Sequence, residues 1–169
     1  MEKTVALAEG LEEYPKTDAV VGNMVMLLWI VLGTAACWFL YPLAGIAYFG
    51  FAMLMVYVVL RKLVCTNCYY YDRWCGIGWG KLSAMLFERG DIEHFAGSTG
   101  VKLAPAVYGL LSILPIIFII ISLFQGFSVS KVAVLVILML ISFYSGAVSR
   151  RKTCERCRMR TICPGSAVK

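Results

Sequence analysis

Residues 104–124 read APAVYGLLSILPIIFIIISLF, a run of the chain without a single charged side chain. An α-helix needs about 20 apolar residues to cross a hydrocarbon core that is about 30 Å thick. Three more runs, at residues 20–40, 43–60 and 132–149, are similarly long and also contain no Asp, Glu, Lys, Arg or His. Because lipid offers no partner to an open backbone, these runs predict an all-α integral membrane protein with four transmembrane helices.

The composition of the whole chain supports this class. Hydrophobic residues make up 60% of its 169 residues and charged residues 15%, whereas soluble domains are about 45–50% apolar and about 25% charged. Ionisable residues inside a membrane usually mark proton relays or ion paths, so their absence from the four runs argues against an ion pump or a proton-coupled transporter. The first run is too long for the core of a cleavable signal peptide, and it is expected to be a retained span.

The links between the runs divide the protein into two helical hairpins. Tyr41-Pro42 joins the first two runs, and residues 125–131 join the last two. The long stretch between the hairpins is expected to lie outside the bilayer. The predicted organisation is an N-terminal segment at 1–19, a hairpin at 20–60, a cysteine-containing loop at 61–103, a second hairpin at 104–149 and a basic cysteine-containing tail at 150–169.

Positive charge predicts the orientation of the hairpins. The net charge is +6, yet Lys131 is the only basic residue in the short links, whereas the long loop and the C-terminal tail are rich in Lys and Arg. Both termini and the long loop are therefore expected to be cytoplasmic, in a prokaryotic cytoplasmic membrane. Because the basic clusters directly follow apolar runs, they indicate topology rather than a nucleic-acid partner.

The long loop is expected to contact the membrane surface. Residues 81–89 place apolar side chains at helical spacing, which predicts a short helix lying in the interface. Five aromatic residues beside it fit an aromatic belt better than a ligand platform, the alternative reading. They are Tyr69, Tyr70, Tyr71, Trp74 and Trp79.

The two halves of the chain contain a matching segment. Residues 61–68 read RKLVCTNC, and residues 150–157, which lie 89 positions later, read RRKTCERC. A third cysteine follows in each half, Cys75 in the first and Cys163 in the second. Each half holds two spans, and an even number of spans preserves orientation, so the match predicts a parallel internal repeat. Such a repeat brings both cysteine motifs to the same end of the bundle.

The cysteine spacing predicts a metal site. A C-x2-C pair lets two thiolates point at one ion, and zinc prefers four ligands in tetrahedral geometry. Three cysteines per half cannot complete a site, and the lone histidine, His94, is expected to be an ordinary surface residue. Either the two C-x2-C pairs form one four-thiolate site, or all six thiolates hold two zinc ions through bridging sulfurs. The predicted ligands are Cys65, Cys68, Cys75, Cys154, Cys157 and Cys163.

The spacing resembles that of the binuclear zinc cluster of fungal transcription factors, which repeats C-x2-C-x6-C after a linker. The resemblance is confined to the cysteines, because two membrane spans separate the triplets here, and DNA binding is not implied. A [4Fe–4S] cluster is the main alternative, since it also takes four cysteines and Cys163-Pro164 is similar to the Cys-Pro that ends many ferredoxin motifs. The ferredoxin run C-x2-C-x2-C is absent, so geometry favours zinc.

The expected function is that of a structural or adaptor subunit, in which one or two zinc ions clamp the hairpins and stiffen a cytoplasmic face. Its expected partners are the lipid bilayer and either a protein at that face or a second copy of the chain. The alternatives are an iron–sulfur electron-transfer subunit, a metal-handling protein and a thiol-redox protein, the last disfavoured because cytoplasmic thiols stay reduced. The acidic loop residues form no recognisable acid–base pair, so an enzyme is not favoured.

Overall fold

The structure, a computed structural model, describes residues 7–168. The predicted N-terminal segment at 1–19 and tail at 150–169 thus lie partly outside the described residues, and the domain boundaries stay a prediction. Within the described range the chain is all-helical, without a β-strand. The helices are α1 (Lys16–Trp38), α2 (Pro42–Met53), α3 (Leu60–Val64), α4 (Trp79–Leu86), α5 (Thr99–Gln125), α6 (Val129–Phe143) and α7 (Arg150–Glu155).

Four helical stretches of the described chain are long and apolar enough to cross a membrane, which confirms the prediction of a multi-pass membrane protein. They contain 23, 26, 27 and 27 residues, or about 35–40 Å at about 1.5 Å per residue. We call them spans 1 to 4 in chain order. They are Lys16–Trp38, Pro42–Asn67, Thr99–Gln125 and Val129–Glu155.

The spans pack around α1, which contacts α2, α5 and α6. Sparse polar groups join the helices: the Tyr48 hydroxyl donates to the Leu111 carbonyl at 2.8 Å, and the Trp29 indole donates to Ser142 Oγ at 3.0 Å. Cys37 is fully buried in the same core, where it packs as a small apolar residue. Span 4 lies at the edge, since only 6% of its apolar window is buried against 28% in each other span.

Spans 2 and 4 each contain a π-helical segment shortly before their cysteine motif. In span 2 the segment Leu54–Val59 is π-helical and leads into α3, and in span 4 the segment Tyr144–Ser149 is π-helical and leads into α7. A π-helical turn takes up an extra residue and turns the following helix about its axis. In both spans the rotated part is the one that carries the first cysteine of a motif.

The loop between the hairpins contains the predicted short helix, α4. Leu82, Met85 and Leu86 on α4 are exposed, as expected for a helix that lies on a lipid surface. The aromatic-belt prediction is wrong for Tyr70 and Trp79, which are each only 3% exposed. Both pack inside the protein: Tyr70 against the cysteine motifs and Trp79 beneath Arg61.

Candidate metal centre

Each C-x2-C pair forms a turn with the same backbone hydrogen bond. The Cys68 amide donates to the Cys65 carbonyl at 3.3 Å. The Cys157 amide donates to the Cys154 carbonyl at 3.1 Å. A tight turn of this kind is what allows two neighbouring thiolates to approach one ion.

The match between the motifs continues to the third cysteine. Three further amide-to-carbonyl hydrogen bonds recur at an offset of 88 or 89 residues, so the two motifs share these turns. In the first half these bonds run from Tyr71 to Cys68, from Arg73 to Tyr70 and from Gly78 to Cys75. In the second half they run from Arg160 to Cys157, from Ile162 to Met159 and from Ser166 to Cys163.

Corresponding residues of the two motifs meet at one end of the bundle. Cys68 and Cys157 lie close enough to interact electrostatically. The next residue in each motif makes direct contact, because Nη1 of Arg158 donates to the Tyr69 hydroxyl at 3.0 Å.

A small apolar cluster supports both motifs from beneath. Its buried members are Tyr14, Tyr70, Phe95 and Met159. The Tyr70 hydroxyl donates to the Leu11 carbonyl at 2.7 Å and accepts from the Arg158 amide at 3.2 Å. Burial raises the pKa of Tyr70 to about 12, so its phenol stays neutral at physiological pH. The cysteines that pack against the cluster are Cys68, Cys75, Cys157 and Cys163.

An N-terminal strap, residues 7–14, lies across the second motif. The Ala8 amide donates to the Arg158 carbonyl at 2.9 Å, and Leu11 forms a parallel β-bridge with Cys157. At its end the Tyr14 hydroxyl donates to the Thr153 carbonyl at 2.8 Å. The strap ties the N-terminus to the tail, which places both described ends of the chain on one side of the bundle. Nothing in the sequence of the strap signals this role.

The cysteines outside the spans lie in surroundings that oppose their negative charge. Burial raises the pKa of the Cys68 thiol, and the same cause raises the pKa of Cys157 and of Cys163. Backbone hydrogen bonds act in the opposite direction, from Tyr70 to Cys68 and from Met159 to Cys157. These two bonds correspond between the halves. Such thiols become thiolates when a cation replaces the proton.

Arginines surround the motifs. Nη1 of Arg61 lies 3.9 Å from Cys65 Sγ, and Arg150 lies close enough to Cys163 to lower the pKa of its thiol. Tyr69 is flanked by Arg73 and Arg158, whose guanidinium groups lie 4.7 and 5.4 Å from the ring centre. A cluster of thiolates would therefore form in positively charged surroundings.

The cysteine side chains share one region without converging on a point. All seven are free thiols, and among residues 7–168 no three Cys, His, Asp or Glu side chains are arranged to hold a metal ion. Each triplet is internally close: Cys75 interacts with Cys65 and Cys68, and Cys154 interacts with Cys157 and Cys163. The structure thus gathers all six predicted ligands, and the metal site itself is not confirmed.

His94 takes no part in this region. Its side chain is 79% exposed and lies 3.3 Å from Asp91, as an ordinary surface histidine would. The donor set available to a metal is therefore made of thiols. That set suits zinc, copper(I) or an iron–sulfur cluster rather than a hard cation such as magnesium.

Fold and site together define a class, a four-span membrane protein with two thiol-rich motifs packed at one end of its bundle. Comparison with protein-family models, with curated proteins and with solved structures found no match. Its function is therefore argued from the chemistry of the site.

Proposed function

We propose that the two cysteine motifs jointly bind metal, with zinc favoured, and that the metal clamps the two halves of a structural or adaptor subunit in the membrane. The observation that carries this proposal is the pairing of the motifs. Two turns with the same hydrogen bonds meet at equivalent residues, Cys68 and Cys157. Metal bound there would join span 2 to span 4.

The number of ligands supports a shared site. Zinc in structural sites takes four ligands, and each half supplies three cysteines without a nearby histidine. A site within one half would need a water or carboxylate as its fourth ligand. The contact between the motifs supplies the missing thiolate from the other half.

The packing favours a structural role over metal handling. A site that receives and releases ions needs exposed thiolates, whereas Cys65 is buried and the other five predicted ligands are partly covered. The strap further covers the second motif. Slow exchange of a tightly held ion is the expected behaviour.

An iron–sulfur electron-transfer subunit is the second candidate. The backbone hydrogen bonds to the sulfurs of Cys68 and Cys157 favour it, because such bonds help to set the potential of iron–sulfur clusters. Absorption at about 400 nm in the purified protein would support this candidate, and a colourless zinc-containing protein would exclude it.

We also propose that the halves are a parallel internal repeat with both ends in the cytoplasm. Support comes from the π-helical segments, which precede the motifs in spans 2 and 4, and from the recurring hydrogen bonds. The strap joins the two ends of the chain on one side, and the basic loop and tail favour the cytoplasm as that side. A protein partner or a second copy would bind at this face.

Serine substitution tests the sharing directly. In full-length protein purified anaerobically, Cys65→Ser and Cys154→Ser should each remove all metal, because each breaks the one joint site. Elemental analysis measures the metal per chain, and Cys37→Ser, buried in the membrane core away from the motifs, is the matched control. If Cys65→Ser leaves metal bound to the second motif, sharing is excluded. A wild-type chain without metal would overturn the proposed function itself.

A further inference from the structure

Arg61 is a buried arginine without a counter-charge. It lies in α3, at the end of span 2, and is 5% exposed. Its guanidinium group stacks on Trp79, with 4.2 Å between Cζ and the ring centre. Its Nε and Nη2 atoms are inaccessible and have no hydrogen-bond partner in the described part of the chain.

The positive charge of Arg61 lies in a buried place. Burying a guanidinium group without a partner is unfavourable. None of the ion pairs among residues 7–168 includes Arg61. The contact with Trp79 is attractive, but the ring carries no net charge. A negative charge is therefore required beside this residue.

Arg61 interacts electrostatically with two ionisable side chains, Tyr57 and Cys65. Its Nη1 atom lies 3.9 Å from Cys65 Sγ. A neutral thiol cannot neutralise a guanidinium group. A thiolate can, and a centre of four thiolates around one zinc ion carries a net charge of about −2. Arg61 thus lacks a negative partner, and an anionic metal centre would need a positive one. A metal-bound thiolate at Cys65 would bring these two charges together.

The second half holds a related arrangement that differs in its exposure. Arg150 occupies the position that corresponds to Arg61 and lies near a motif cysteine, Cys163. Unlike Arg61, it is exposed and donates to the Gly165 carbonyl, so its charge is not buried. Arg61 is therefore the one of the two whose burial depends on the state of the cysteines.

We propose that Arg61 is the internal counter-ion of an anionic thiolate–metal centre, which it stabilises through Cys65. This inference rests on the proposed function, and it adds the residue that balances the negative charge of the centre. Arg61 acts as a positioning residue, because it reaches the metal through a ligand. Its substitution should weaken metal binding without removing a ligand.

Two measurements on the full-length protein in detergent test the inference, with Zn²⁺ as the probe. Competition with a chromogenic chelator should show about 10- to 100-fold weaker zinc binding in Arg61→Met, the usual effect of losing a group that supports a ligand. Thermal unfolding should show a change of sign: Arg61→Met raises Tm in the metal-free protein, where it removes an unpaired charge, and lowers Tm in the zinc-loaded protein. Lys62→Gln, which removes an exposed neighbouring charge, should change neither quantity.

Other outcomes would overturn the inference. Equal zinc affinity in Arg61→Met and wild type, or an equal loss of Tm with and without zinc, would mean that Arg61 only packs on Trp79. If Arg61→Met does not fold, Arg61→Gln must show the same weaker binding for the inference to stand. A wild-type chain that binds no zinc would remove this inference together with the proposed function, whereas zinc binding unaffected by Arg61 would remove the inference alone.

Discussion

The stability of this end of the protein depends on whether the thiols of the motifs carry protons or metal. Burial is the main cause that raises the pKa of Cys68, and the same cause acts on Cys157 and Cys163. Without metal, these thiols keep their protons well above neutral pH. With metal, they lose their protons on binding, so metal and protons compete for the same sulfurs.

This competition predicts that bound zinc changes how the stability of the protein responds to alkaline pH. Unfolded thiols lose protons near about pH 8.5, whereas the folded thiols keep theirs to higher pH. The folded metal-free protein then binds more protons than the unfolded chain, and its free energy of unfolding falls as the pH rises above about 8.5. Thermal unfolding at several pH values should therefore show a falling Tm without metal and a nearly constant Tm with zinc over the same range.

A variant without three of these thiols is the control for the pH series. Serine at Cys68, Cys157 and Cys163 removes three of the titrating groups, so in the metal-free variant the decline above about pH 8.5 should be smaller than in wild type. A metal-free wild type that becomes more stable with rising pH would contradict the burial of these thiols.

At the residue scale, the surroundings of some side chains can be predicted from the sequence and those of others cannot. The surface position of His94 is predicted by the sequence and confirmed, whereas the assignment of the six cysteines as metal ligands stays a prediction. The burial of Arg61 could not be predicted, since an arginine at the end of a span ordinarily extends to the water. The sequence predicts that Tyr70 and Trp79 lie in an aromatic belt beside the membrane. Only the folded loop shows that they pack against the motifs and Arg61 instead.

At the scale of elements, hydrophobicity predicts the four spans but not the residues at which their helices begin and end. The third run was predicted to begin at residue 104, but α5 begins at Thr99. Ser98 caps this helix, because its Oγ accepts from the Val101 amide at 3.3 Å. A capped polar turn extends the helix beyond its apolar run. Hydrophobicity also carried no signal for the π-helical segments before each motif.

The docking of α4 against the first motif depends on Gly80. A Cβ atom at this position would collide with the carbonyl oxygens of Tyr70 and Arg73. Gly80→Ala should therefore separate α4 from the motif and destabilise the protein by about 1–3 kcal/mol, the usual range for overpacking. Thermal unfolding in detergent, with and without zinc, measures this loss.

Gly109→Ala is the matched control for Gly80. A Cβ atom at Gly109 would meet nothing within 4 Å, and alanine suits a helix interior slightly better than glycine. Tm should be unchanged or slightly higher in this variant. Equal stability of Gly80→Ala and wild type would contradict the close packing of α4 on the motif loop.

At the scale of the whole molecule, two hairpins meet at one end through their cysteine motifs and the strap. Sequence alone predicted that the motifs would come together, because two spans in each half return the chain to the same side. It does not predict the strap, whose backbone contacts with Arg158 and Cys157 join residues from opposite ends of the chain. In the proposed metal centre neither half completes the set of ligands, whereas the two halves together do.

X-ray absorption at the zinc edge of the zinc-loaded, full-length protein tests that claim most directly. It counts the sulfur atoms around each ion and measures their distance. A shared site predicts four sulfurs at about 2.3 Å, one more than the three cysteines of either motif. Three sulfurs with one nitrogen or oxygen would mean that each motif binds zinc by itself, and that result would contradict the joint site.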